Sequence, residues 1–160
     1  MAKHWTEDTA LVDAISGNLY DALPLLPKRL VHLDAITREF GMPFSHIQIL
    51  CVLSEVEMTI GNLSAALGIA KPNITPLIDN LRQRGLIERR RSEKDRRIVY
   101  VALTAEGNDM AAHVRQRIGE QVMAWPKGFS NSDIKRLNNA LAYLIDTARI
   151  LAAAEAEQPQ

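Results

Sequence analysis

Cysteine is almost missing: Cys51 is the only one in 160 residues, which excludes an intrachain disulfide and any zinc site built on several thiolates. Aromatic residues make up 5% of the chain, so a core has to be assembled from Leu, Ile, Val and Ala, a palette that suits helices better than sheets. No apolar run reaches the roughly 18 residues that a membrane-spanning helix needs. The opening residues 1–8 lack the apolar stretch of a secretory leader. These absences point to a cytoplasmic protein with no membrane partner. A glycine-rich phosphate loop, a nucleophile elbow and a paired-acid motif are also lacking, so neither catalysis nor a cofactor is expected. His4, His32, His46 and His113 stand at no metal-ligand spacing, and no metal site is expected of them.

Net charge is absent too, with 19 basic residues balancing 19 acidic ones. The balance conceals a basic centre. Arg82, Arg84, Arg89, Arg90, Arg91, Lys94, Arg96 and Arg97 face only Glu88, Glu93 and Asp95 over the same stretch, a local net of +5. The first forty residues lean acidic. A basic middle between neutral or acidic ends is the charge pattern of a binding module carried between assembly arms.

Apolar spacing then sets the elements. Leu11, Ile15, Leu19, Leu23, Leu26, Leu30 and Leu33 recur in steps of three and four, a helical seam that Pro24 and Pro27 should kink or break. Ser45 and Gln48 have the form of a capping box for a short buried helix that includes Cys51, expected there as a buried structural thiol. After a brief extended piece at 57–60, Gly61 is expected to cap a helix ended by Gly68. A second helix begins near Pro72 and stops at Gly85, with Ile74, Leu77, Ile78 and Leu81 inward. The period changes at 86–91 and 97–103, which read as two strands joined by the polar turn Ser92–Asp95. Thr104 caps a long helix with its seam at Ala111, Val114, Ile118, Val122 and Trp125, broken at Pro126. Ser130 and Asp133 open a last helix along Ile134, Leu137, Leu141, Leu144, Ala148 and Leu151, fraying after Glu155. Trp5 and Trp125 are expected as helix-packing or dimer residues. The fold class is mainly α with a small β-hairpin wing, a winged helix-turn-helix. Residues 1–44 and 104–160 form dimerisation helices around a binding module at 45–103.

Two short helices joined at a glycine are a common arrangement; a basic hairpin directly after them is not. In that geometry the second helix enters a major groove of double-stranded DNA, and the hairpin tip reaches along the backbone into the adjacent minor groove. The stretch from His46 to Gly107 resembles the MarR (multiple antibiotic resistance regulator) family. The residues that carry the likeness are Ile60-Gly-Asn-Leu-Ser-Ala-Ala-Leu-Gly-Ile69, Leu81-Arg-Gln-Arg-Gly-Leu-Ile-Glu-Arg-Arg90 and, most specific, Asp95-Arg-Arg-Ile-Val-Tyr-Val-Ala-Leu-Thr-Ala-Glu-Gly107. The resemblance implies a homodimer with interleaved first and last helices on a pseudo-palindromic operator. It also implies repression, relieved by a small-molecule effector held between the dimerisation and DNA-binding regions.

On this reading the recognition helix offers Lys71, Pro72, Asn73, Thr75 and Pro76 to the DNA, and the wing offers Arg89, Arg91, Lys94, Asp95, Arg96 and Arg97, with Asp95 steadying one guanidinium. Asn suits adenine, Lys suits guanine or phosphate, and Thr or Pro suits a thymine methyl. Pro76 departs from the polar residue common in the family and should bend or tighten the first turn. Of Arg89–Arg91, about half should face phosphate and the rest pair with Glu88 or Glu93. His32 and His46 are candidates for an effector pocket. The competing expectation, a winged-helix module that binds another protein, fits less well with Lys94, Arg96 and Arg97 around the tip.

Overall fold

The computed structural model describes residues 8–125 and 128–156, without the side chains of residues 155 and 156. His4, Trp5, the break at Pro126 and the end of the chain beyond residue 156 lie outside the described residues. In chain order the elements are α1 (Thr9–Leu25), a π-helical stretch (Leu26–Leu30), α2 (Leu33–Phe40), α3 (Phe44–Leu53), β1 (Met58–Thr59), α4 (Ile60–Leu67), α5 (Lys71–Gln83), β2 (Ile87–Arg91), β3 (Val99–Leu103), α6 (Ala105–Met123) and α7 (Asn131–Ala156). The chain is mainly helical with a β wing, as its sequence predicts.

The expected break in the first seam takes a particular form. Pro24 and Pro27 have no N–H to give to the carbonyls four residues earlier. The backbone widens to π geometry, Val31 N–H reaching back to Leu26 O at 3.3 Å. His32 follows in the left-handed region at φ 43°, from where its carbonyl receives the first amides of α2.

Glycine stops fall where the sequence puts them. Gly41, Gly68 and Gly85 have φ of 58°, 62° and 75°, values costly for a residue with a Cβ. Two start signals differ. α3 begins at Phe44, one residue before the expected Ser45 cap, because Pro43 is extended at ψ 153° and its carbonyl already accepts from His46 and Ile47. Thr59, not Gly61, caps α4, its hydroxyl accepting from Asn62 N–H at 3.2 Å. Ser130 and Asp133 do form a reciprocal capping box at the start of α7.

The sheet has three strands in the order β1-β3-β2, all antiparallel. The extended piece before α4 thus pairs with the hairpin, Met58 opposite Val101 and Thr59 opposite Tyr100. This ties the entrance of the helix-turn-helix to the wing. Arg97 and Ile98, expected at the start of the second strand, belong to the turn, which closes by Ser92 N–H to Ile98 O at 3.0 Å.

A single buried cluster runs from Ile36 to Val114 and draws on α2, α3, α4, α5, the sheet and the first half of α6. One close approach governs its geometry. Thr104 caps α6 by accepting from Gly107 N–H at 3.0 Å and donates its hydroxyl proton to Gly85 O at 2.6 Å. These contacts lay Gly107 so tightly on the start of β2 that a Cβ there would stand 1.9 Å from Leu86 O. The Leu-Thr-x-x-Gly segment is therefore the joint between wing and α6.

Cys51 corrects an expectation: it is exposed, on the face of α3 that carries Gln48, whereas Ile47, Leu50 and Leu53 face the core. Partial desolvation still pushes its thiol pKa up, so it stays protonated. Helix α1 has no buried side chain, and Leu11, Ile15, Leu19 and Leu23 of its seam are exposed, as are Ile134, Leu141, Leu144 and Leu151 of α7.

His46 is buried, and neither ring nitrogen has a hydrogen-bond partner. Burial, and then the cation of Arg84, hold its pKa below the usual 6.5. Below that pH the unfolded chain takes up a proton that the folded chain refuses. Stability should therefore be full above pH 6.5 and fall as the pH drops from there through the depressed folded pKa. Urea midpoints measured from pH 7.5 to 5 should decline more steeply for the native chain than for His46→Leu; parallel curves would refute this role for His46.

Candidate nucleic-acid interface

The first helix of the helix-turn-helix, α4, ends in Gly68, and three residues later α5 begins. Ile69 N–H donates to Ser64 O at 3.1 Å, and the Ser64 hydroxyl returns a bond to Ile69 O. That reciprocal pair sets the turn. Ile74, Ile78 and Leu81 anchor α5 in the core with no exposed surface, which turns Lys71, Pro72, Asn73 and Pro76 outward and leaves Thr75 half-buried. Pro76 is accommodated without breaking the helix. In the first turn Ala70 O accepts from both Asn73 N–H at 2.8 Å and Ile74 N–H at 3.1 Å, so the helix starts in α geometry.

Lys71 does not project freely. Its Cε and Nζ lie 3.7 and 4.0 Å from where a Gly61 Cβ would stand, so the chain folds back along the first turn of α4. Thr75 gives its hydroxyl proton to Lys71 O at 3.0 Å.

At the hairpin tip Asp95 organises the turn. It accepts from Arg97 N–H at 3.0 Å and from the guanidinium at 3.1 and 3.0 Å, while the Arg97 side chain is 91% exposed. The Arg97 bonds hold the Asp95 carboxyl below its ordinary pKa and raise that of Arg97. The carboxylate thus aims Arg97 into solvent beyond the tip. Arg91, Lys94 and Arg96 are exposed and pair with no carboxylate among the described residues.

The β2 arginines divide differently from expectation. Arg90 pairs with Glu88, with Glu57 at 4.0 Å, as a residue turned from phosphate should. Arg89 binds Asp79 of α5 at 2.9 Å, an aspartate that also lies 3.8 Å from Arg82. Sequence reasoning missed Asp79, because the bond spans two elements; its only signal was an acid on the otherwise neutral or basic recognition helix. Asp79→Asn should free two guanidinium groups, strengthen binding to random-sequence DNA and steepen its salt dependence by about one unit for each freed group that reaches a phosphate. The stability cost should stay within about 1 kcal/mol for so exposed a pair. Weaker, shallower binding would show instead that the pair serves to hold the wing.

His32 and His46 are not brought together: His32 is exposed at the start of α2, and His46 is inside the core. The apolar space lies elsewhere, in a cleft of about 850 Å³ between α3, α4 and α7, lined by Cys51, Val52, Val56, Met58, Ala65 and Ala148 among others.

A helix-turn-helix whose second helix is outward at its N-terminus, followed by a cationic hairpin packed on the same core, defines a winged helix-turn-helix protein. Over residues 40–98 the chain matches the model of the MarR family. It is 44% identical over 52 residues to the transcriptional repressor MprA of Escherichia coli (strain K12), a match covering 32% of this chain and 30% of that protein. It is 29% identical over 105 residues to the organic hydroperoxide resistance transcriptional regulator of Bacillus subtilis (strain 168), covering 64% of this chain and 68% of that one. In fold it resembles the crystal structure of the MarR family transcription regulator SP03579, with a TM-score of 0.68 at 23% identity over 94% of this chain and 98% of that one.

Proposed function

We propose that the protein is a transcriptional repressor that binds a pseudo-palindromic operator in double-stranded DNA as a homodimer. The observation that carries this reading is the joint surface of α5 and the wing. The outward first turns of α5 rise from the same core as a hairpin whose tip presents Arg91, Lys94, Arg96 and Arg97, four cations with Asp95 committed to aiming one of them. Phosphate contacts from such a tip fix register on the duplex, and the helix reads base edges.

Dimerisation is supported by the apolar faces of α1 and α7, which one chain leaves exposed along Leu11, Ile15, Leu19 and Leu23 and along Ile134, Leu141, Leu144 and Leu151. A second copy would cover them and set the two recognition helices about one DNA turn, roughly 34 Å, apart. The cleft beside α7 is the proposed seat of a small apolar effector. A molecule there would shift α7 against α4, and release would be limited by its differential affinity for the two arrangements.

Fluorescence anisotropy of the purified chain on genomic fragments, including DNA upstream of its own gene, tests the reading across a salt series. Tight, saturable binding to a palindrome-containing fragment that weakens steeply with salt is expected. Equal, weak binding to every fragment, or a monomer in equilibrium sedimentation at micromolar concentration, would overturn it.

A further inference from the structure

The recognition surface is short of hydrogen-bond donors. Guanine presents two acceptors to the major groove, N7 and O6, and is ordinarily taken by an arginine or lysine that offers two donors. In the first two turns of α5 the one lysine, Lys71, lies back over Gly61 of α4. The one hydroxyl, on Thr75, has already given its proton to Lys71 O. Pro72 and Pro76 are exposed and carry no N–H. Arg82 sits about 13 Å further along the helix from Asn73 and leans on Asp79. Asn73 is the exposed side chain left with both a donor and an acceptor, the pair that matches adenine N6 and N7. Around it lie two pyrrolidine rings and the Thr75 methyl. The thymine 5-methyl is the apolar group that the floor of the groove offers such a surface.

We propose that α5 reads its half-site mainly through thymine methyl groups, with Asn73 on one adenine, so that Pro76, Pro72 and Thr75 are specificity-determining residues. This rests on the DNA-binding reading above. The residue that breaks the local rule for a helix interior is then the one that supplies the apolar contact.

The test begins by enriching a random duplex pool on the purified full-length protein. The enriched half-site should hold thymines flanking an adenine. Replacing those thymidines one at a time with 2′-deoxyuridine removes only the methyl, and at one or two positions should weaken binding by about three- to fivefold per methyl. In Pro76→Ala, a change that restores a helix N–H and a better helix former, the same replacement should lose its effect at the position Pro76 touches. An enriched half-site specified by G·C pairs, or one indifferent to every deoxyuridine, overturns this inference and leaves the DNA-binding reading standing. A pool that yields no enriched sequence overturns both.

Discussion

Gly107→Ala is expected to cost about 3 kcal/mol or more, the upper end of what overpacking does to a core. The added Cβ would meet Leu86 O at 1.9 Å and Leu103 Cβ at 3.3 Å. Neither neighbour is the free end of a flexible side chain; one is backbone at the root of β2. Relief requires α6 to move off the wing, which would break the Thr104 bonds to Gly85 and Gly107. At about 3 °C per kcal/mol for a chain of this size, the thermal midpoint should fall by roughly 10 °C. Glu106→Ala, one residue away and exposed, should cost less than about 1 kcal/mol. Similar midpoints for the two variants would mean that α6 is not seated on the wing in this way. A folded remnant of Gly107→Ala should also bind DNA poorly, since the wing would no longer be registered against α5.

The second large effect is expected on DNA affinity. Arg97→Ala should weaken binding to operator and non-operator DNA alike by about tenfold or more, because a fully exposed guanidinium at the tip meets phosphate or the minor groove without reading base identity. A two-winged dimer should lose about two units of salt slope. Asp95→Asn separates placement from charge. Removing an acid from a DNA-facing surface should by Coulomb's law strengthen binding. Here Asp95 holds the Arg97 amide and guanidinium together, and its replacement should weaken binding instead. Anisotropy titrations on both variants decide this. Unchanged affinity for Arg97→Ala would remove the tip from the interface, and stronger binding for Asp95→Asn would show that the carboxylate only repels.

Other parts of the site were not legible before the fold. Both β-strands of the wing could be read from alternation, yet Arg89 pairs with Asp79, a contact between residues ten apart on two elements. His46 is, from the sequence, a candidate for an effector pocket near the first two helices. Its ring is instead in the core, because α3 is buried on more of its circumference than a two-sided helix would be. The Ser45 signal failed for a local reason: Pro43 presents the required extended carbonyl one residue too early for Ser45 to act.

Sequence alone specified the order and ends of most helices, the glycine stops at 68 and 85, the caps at Thr104 and Ser130, and the basic turn at 92–97. These depend on contacts within about four residues, where hydrophobic period, capping chemistry and positive φ are written directly into residue types. Tertiary structure decided what depends on distant partners. It joined β1 to β3, seated Gly107 on Leu86, exposed Cys51, folded Lys71 over Gly61 and gave Asp79 to Arg89. Each of those outcomes follows from which surfaces the buried cluster brings within a few ångströms, and no spacing along the chain encodes that proximity.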